Sequence, residues 1–446
     1  MPSNYRTYQP EQSYLLPPSP SDWLPENHLA FFISEVVNEM DLSAFYGPHE
    51  ESDPRGNQPF HPAMMLKILI YAYATGTFSS RRIAQKIEED VAFRVLSAGN
   101  FPQHRTICDF REEHLQKFVE LFKQVVLIAK NSGLIKLGRV AIDGTKMKAN
   151  ASRHKAMSYD RMKQEEKRLE SEIAELLKQA ERTDRKEDQE YGSENRGDEL
   201  PEELQRRESR LKKIREAKKR LEERQAEEDR GKGRHEGDGG RPDGKKGHAF
   251  TKEFGQPREK AQDNFTDPES RIMKTGNSFE QSYNAQACVD EARQIVVAAG
   301  VTNCSADNKQ LIPMVEATEA NLGQAPGQLL ADAGYRSAAN FEALEEKQID
   351  GVIAIGREGK AGTAPISRSS KAATQRMKQK LASRDGAAAY RRRKVIVEPV
   401  FGWIKNVLGF RQFSFRGLIK TNAEWHLVCL ALNLRRMSGG IAPAVA

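Results

Sequence analysis

The chain has 446 residues, 38% of them hydrophobic and 30% charged, with a net charge of +7 and an isoelectric point near 9.0. That is enough chain for two or three domains and enough apolar content for a sizeable core, so the sequence reads as soluble and globular, with no run near the roughly 20 apolar residues of a membrane helix and no signal-peptide character at its start. Cys108, Cys288, Cys304 and Cys429 form no Cys-x-x-Cys pair and have no histidine at zinc-finger spacing, which excludes structural zinc and fits a reducing, cytoplasmic setting.

Residues 1–24 are polar, carry Pro17, Pro18 and Pro20, and read as a poorly ordered lead-in. Residues 25–135 read as a helical N-terminal DNA-binding domain. Leu29, Phe31, Phe32, Ile33, Val36, Val37 and Met40 recur at helical spacing, and Pro62 opens a second helix, apolar nearly all round, that runs to Ala74. Ser79 or Ser80 caps a third, with Arg81, Arg82 and Lys86 outward and Ile83, Ala84 and Ile87 inward, and a fourth is expected from His114 to Lys130. The span 76–111 allows a helix-turn-helix, with Arg81, Arg82 and Arg105 as candidate DNA contacts; a solvated basic face is the competing reading.

Val140, Ala141 and Ile142 then form a short apolar run before Asp143, and Gly144 is able to turn the chain. Asp143 is therefore expected to end a buried strand, where an open α/β sheet places its chemistry. Beyond it, residues 159–247 turn to Glu, Lys, Arg and Gln. Met162, Leu169 and Leu176, then Leu204, Leu211, Ile214 and Leu221, keep near-heptad spacing, which predicts an antiparallel helical hairpin closed by a Gly-rich linker. It serves either as a spacer or as a partner-binding arm.

Ordered character resumes with a β-hairpin over 282–302, a helix over 308–322 and a strand Leu329-Leu330-Ala331 that leads into Asp332. A helix over 340–347 and a strand over 351–355 follow, then Glu398 with Pro399 behind it. Proline belongs in a helix's first turn, so Glu398 is placed near a helix start, with Lys405 two turns further on beside DNA phosphate. The expected fold is α/β: a ribonuclease H-like catalytic domain over 136–158 and 248–436, with the helical N-terminal domain, the helical-hairpin insertion and a tail from 437. Three acids at converging strand and helix ends suit phosphodiester chemistry, because two divalent ions then activate the nucleophile and stabilise the leaving oxygen. Between Tyr390 and Arg436, ten Lys and Arg face Glu398 and Glu424, interleaved with Trp403, Phe410, Phe413, Phe415 and Trp425. The basic groups suit backbone phosphates, while most of the aromatics read as core.

With Asp143-Gly-Thr-Lys, Ala331-Asp-Ala-Gly-Tyr, Val397-Glu-Pro-Val-Phe-Gly-Trp-Ile-Lys and Leu430-Ala-Leu-Asn-Leu in view, the chain resembles the DDE transposases of bacterial insertion sequences, especially the branch with a long charged insert between the first two aspartates. The resemblance implies that Asp143, Asp332 and Glu398 are catalytic acids and metal ligands for two Mg²⁺, with Mn²⁺ able to substitute. It implies that Lys405 contacts DNA, and that Tyr390, Arg393 and Lys394 stand at or one place from a Tyr, Arg, Glu, Lys signature. Its partners would be double-stranded DNA, as terminal inverted repeats and target, bound by a homo-oligomer assembled on that DNA in the bacterial nucleoid. Two alternatives stay open: a non-catalytic transposase-derived DNA-binding or regulatory protein, and a haloacid-dehalogenase-like phosphohydrolase, which Asp-Gly-Thr also resembles but whose nucleophilic aspartate is replaced here by Ala141.

Overall fold

The structure is a computed structural model that describes residues 19–46, 58–191, 202–237, 252–276, 278–356 and 372–439. The start of the lead-in, the polar break at 192–201, most of the Gly-rich linker and the end of the tail lie outside the described residues. In chain order come α1 (Leu29–Glu39), α2 (Ser43–Tyr46), α3 (Pro62–Ala74), α4 (Ser80–Glu89), α5 (Val91–Ser97), α6 (His104–Glu113) and α7 (Lys117–Asn131). Then follow β1 (Arg139–Lys148), β2 (Ala156–Ser158), α8 (Tyr159–Tyr191), α9 (Glu202–Gly231), β3 (Gln262–Asn264), β4 (Arg271–Thr275), β5 (Ser278–Asp290) and β6 (Val296–Thr302). The last are α10 (Leu311–Leu322), β7 (Gln328–Ala331), α11 (Ala338–Glu346), β8 (Asp350–Ile353), α12 (Ala372–Ala382), α13 (Arg384–Gly402) and α14 (Leu418–Ser438). They divide into two compact units, Met1–Met147 with Asn284–Phe413 and Ile419–Ala446, and Lys148–Tyr283 with Ser414–Leu418.

The first unit is mixed α/β, and the six-stranded sheet runs β4-β5-β1-β7-β8, with β6 also paired to β5. β1, β7 and β8 are parallel, and β5 and β6 are antiparallel. Val140, Ala141, Ile142, Leu329, Leu330, Val352 and Ile353 are all fully buried, which is why these strands read as unbroken apolar runs rather than as alternating ones. The N-terminal helices fall within this unit. Most of α3 is buried, as a helix apolar on every side must be.

α14 is likewise buried almost all round, and its asparagines serve the sheet. Asn433 accepts from the Val296 N–H and donates to the Val296 carbonyl, both at 2.8 Å, while Asn422 accepts from the Val301 N–H at 2.9 Å. The outer backbone of β6 thereby finds partners inside the fold instead of presenting an open edge. No described helix is long and apolar enough to cross a membrane.

Two expectations are corrected. β1 does not end at Asp143: it continues through Gly144 to Lys148. Glycine is needed there for space, because a Cβ on Gly144 would lie 2.2 Å from Gln286 Nε2, 2.8 Å from Asp307 Oδ1 and 2.9 Å from Asn284 Oδ1. Nor does Glu398 open a helix. α13 begins fifteen residues before Pro399, which sits inside it. The missing N–H leaves the Val395 carbonyl, four residues back, without its helical donor, and Gln294 Nε2 supplies one at 2.8 Å. A π-helical turn, Trp403–Val407, follows.

In the second unit α8 and α9 pack through Met162, Leu169, Leu211, Ile214, Ala217 and Leu221, with Met157 and Tyr159 at the base. Glu172 pairs with Arg207 at 3.0 Å and Glu166 with Lys218 at 2.9 Å, so α9 numbers rise as α8 numbers fall and the helices are antiparallel. β2 pairs with β3, and between them and α9 the fully buried Asp263 carboxylate accepts from Arg220 at 2.7 Å and from Arg224. Asp263→Ala is expected to cost roughly 3 kcal/mol, the low end for breaking a buried pair, since both guanidiniums keep some water. Faster amide exchange over 159–178 and 204–231 is the measurement, and unchanged exchange there would contradict it.

Candidate active site

Register brings the first two acids together. Ile142 pairs with Ala331 across β1 and β7, so the next residues, Asp143 within β1 and Asp332 just past β7, stand side by side. β7 stops there, and Asp332 caps the following turn by accepting the Gly334 N–H at 2.8 Å. Asp143 accepts its neighbour Gly144's N–H at 2.8 Å. From α13, Arg393 donates to Asp143 Oδ2 at 3.2 Å, and its other terminal nitrogen lies 3.9 Å from Glu398 Oε1. The Arg393 side chain is only 8% exposed whereas Glu398 is 56% exposed, so a buried guanidinium stands between the strand acid and the helix acid.

Burial, then the charge of Asp332, raise the Asp143 carboxyl to about 6, against the opposing pull of Arg393. Burial works against the Arg393 charge, yet Asp143, Tyr390 and Asp332 hold that group above its usual value. Its guanidinium also lies 5.8 Å from the Tyr390 ring centroid. Lys405, pushed down by burial and then by Arg411 and Lys146, donates to Thr145 Oγ1 at 2.5 Å and to the Lys146 carbonyl at 3.2 Å. The lysine seven places past Glu398 therefore reaches β1 two residues beyond Asp143.

The remaining candidates are placed as follows. Lys394 is exposed on α13, and Arg81 and Arg82 on α4 and Arg105 on α6 are exposed too. Trp425, Phe410 and Phe413 are core, while Trp403 is 36% exposed. Sequence reasoning missed Asp307, which accepts from Asn284 Nδ2 at 2.6 Å, Gln286 Nε2 at 2.9 Å and Lys146 Nζ at 3.3 Å. A lone acid just ahead of a helix looks like a cap, and no spacing rule ties it to the others. Gly144→Ala is expected to push these side chains apart and lower any activity of the site at least tenfold with little loss of fold, as judged by circular dichroism beside a cleavage assay. Full activity would show the crowding to be harmless.

Among the described residues no group of three or more His, Cys, Asp or Glu is gathered closely enough to hold a metal ion by itself. A divalent site in this state would draw on fewer carboxylates at a time.

Two acids thus stand side by side at neighbouring parallel strands, and α13 brings Arg393 to them. Two family models match the chain: a transposase DDE domain over residues 246–434 and a transposase domain over residues 18–113. The chain thus carries a transposase DDE domain and a second transposase domain, both typical of bacterial insertion-sequence transposases. The DDE match includes Asp332 and Glu398 and begins beyond Asp143. No curated protein and no solved structure matches the chain.

Proposed function

We propose that this transposase binds the ends of its insertion sequence and carries out metal-dependent phosphodiester hydrolysis and strand transfer, with Asp143, Asp332 and Glu398 as the catalytic acids on a ribonuclease H-like unit. The single observation that carries the reading is the pairing of Asp143 and Asp332 at adjacent parallel strands, with Arg393 reaching toward Glu398. The strand order β4-β5-β1-β7-β8, with β6 also paired to β5, supports the fold assignment.

The donors fit Mg²⁺ or Mn²⁺. Both are hard cations that take carboxylate oxygens, and Mg²⁺ keeps several waters and substrate phosphates, so it needs only one or two carboxylates of the protein. When bound, such ions supply an activated nucleophile and charge neutralisation at the leaving oxygen. The chain's own residues do the rest. Asp143 and Asp332 hold negative charge at fixed strand positions. Lys405, anchored on Thr145 and the Lys146 carbonyl, sets a positive charge where a backbone phosphate would lie, and exposed Lys394, Arg81, Arg82 and Arg105 neutralise phosphates further along. Arg393 balances Asp143 and Glu398 until other positive charge arrives.

Incubating the full-length protein with labelled duplexes that carry the element's inverted repeats, with Mg²⁺ or with EDTA, tests the proposal. Cleavage at the repeat boundary that needs the metal is expected; equal processing of scrambled ends would remove it.

A pH dependence follows from Asp143. Its folded value of about 6 exceeds the unfolded value of 3.8, so this group's contribution to metal-free stability is fully present below about pH 4 and is lost as pH rises through 6. Mn²⁺ added at pH 6 should therefore displace a fraction of a proton, and almost none from this group at pH 8. Calorimetry in two buffers of different ionisation enthalpy measures it, and equal proton release at both pH values would contradict it.

A further inference from the structure

Asp307 reaches the acid pair from the loop between β6 and α10, and its two oxygens have different surroundings. Oδ1 accepts from Asn284, Gln286 and Lys146. Oδ2 faces the turn after Asp332: a Cβ on Gly334 would stand 2.9 Å from Asp332 Oδ1 and 3.2 Å from Asp307 Oδ2. A Cβ on Gly144, next to Asp143, would stand 2.8 Å from Asp307 Oδ1. Two glycines, each one or two residues past a proposed catalytic acid, thus let the Asp307 carboxylate come close to both acids.

The surroundings are built rather than incidental. Asn284 is fully buried, and its Oδ1, with no hydrogen-bond partner, faces Gly144 at 2.9 Å from the Cβ position. Gln286, which steadies Asp307, is itself held by the buried Tyr335 hydroxyl, which donates to its Oε1, and its backbone carbonyl accepts from Trp425 Nε1 at 2.9 Å. Fixing a third carboxylate against two others costs free energy unless positive charge enters among them. Lys146 pairs with Asp307 on its Oδ1 side, which leaves Oδ2 as a hard oxygen donor facing the turn after Asp332.

We infer that Asp307 is a fourth carboxylate of the active site, with its Oδ2 serving as an oxygen ligand for a divalent cation bound beside Asp332. The inference rests on the metal-site reading above and goes beyond the three acids. It also gives Asn284, Gln286 and Lys146 a role: they turn the carboxylate so that one oxygen stays available.

Mn²⁺ alone, titrated calorimetrically into the full-length protein without DNA, tests it. Asp307→Asn, which keeps size and an acceptor for the three donors, is expected to weaken Mn²⁺ binding by about tenfold or more or to remove one binding event, with circular dichroism unchanged. Asp332→Asn serves as the reference. If Asp332→Asn weakens Mn²⁺ binding and Asp307→Asn stays within twofold of wild type, the inference is overturned and the metal-site reading stands. If neither variant differs from wild type, the reading fails and takes the inference with it. A second measurement needs no variant: Fe²⁺ with ascorbate and peroxide should cut the wild-type backbone near 306–308 as well as near 143 and 332. Cuts at the latter two without one at 306–308 would overturn the inference.

Discussion

Asp143→Asn, Asp332→Asn and Glu398→Gln are each expected to lower end cleavage and strand transfer by roughly a hundredfold or more, a few kcal/mol of barrier, while binding of the ends is kept. The asymmetry has a physical source. Affinity for DNA comes from Lys and Arg at phosphates and from released counterions, so removing a carboxylate near phosphate lowers repulsion. Losing Asp143 also releases Arg393, which now lies 3.2 Å from it, to meet phosphate. End binding by Asp143→Asn should therefore equal or exceed wild type at low salt. Gel shifts and a cleavage assay on the same labelled duplex decide the matter, and an acid variant that cleaves at the wild-type rate loses its assignment.

Glu424→Ala is expected to cost about 3–5 kcal/mol of folding stability, a large part of a typical domain's total. Glu424 and Tyr73 are fully buried and Arg111 nearly so. Arg111 donates to the Tyr73 hydroxyl at 3.1 Å, and Tyr73 donates to Glu424 Oε1 at 3.2 Å. Arg111 gives a further bond to the Phe78 carbonyl at 2.8 Å. Removing the carboxylate strands a guanidinium in the core, the costly way to break a buried pair. Arg111→Met with Glu424→Leu, which takes both charges away, should recover most of the loss. Urea melts of the two proteins provide the comparison; a Glu424→Ala change under 1 kcal/mol would show that the charges are not coupled.

The strands before Asp143 and Asp332 were legible because Val140 to Ile142 and Leu329 to Ala331 are buried on both faces and so are apolar without interruption. The hairpin α8–α9 was legible from its heptad leucines. Gly144 misled because glycine looks the same whether the backbone needs a turn or a neighbour needs space, and only the positions of Gln286, Asp307 and Asn284 show that it is space. Pro399 misled because its helix-breaking cost is local, while the donor that offsets it, Gln294, is more than a hundred residues away. Arg393 sat one place from the position the family signature suggests, yet it is the arginine that reaches the acids. Asp307 gave no signal at all. The helix α3, apolar all round, was legible as a buried element before any neighbour was known.

One anchor of α3 comes late. The bond between Tyr73 and Glu424 joins residues 351 apart in the chain, and Arg435 donates to the Ala74 carbonyl at 2.9 Å. At roughly 5–20 residues per second of translation, some 20 to 70 seconds separate the making of the two ends. Throughout that interval Tyr73 and Arg111 have left the ribosome without the carboxylate that completes their buried network.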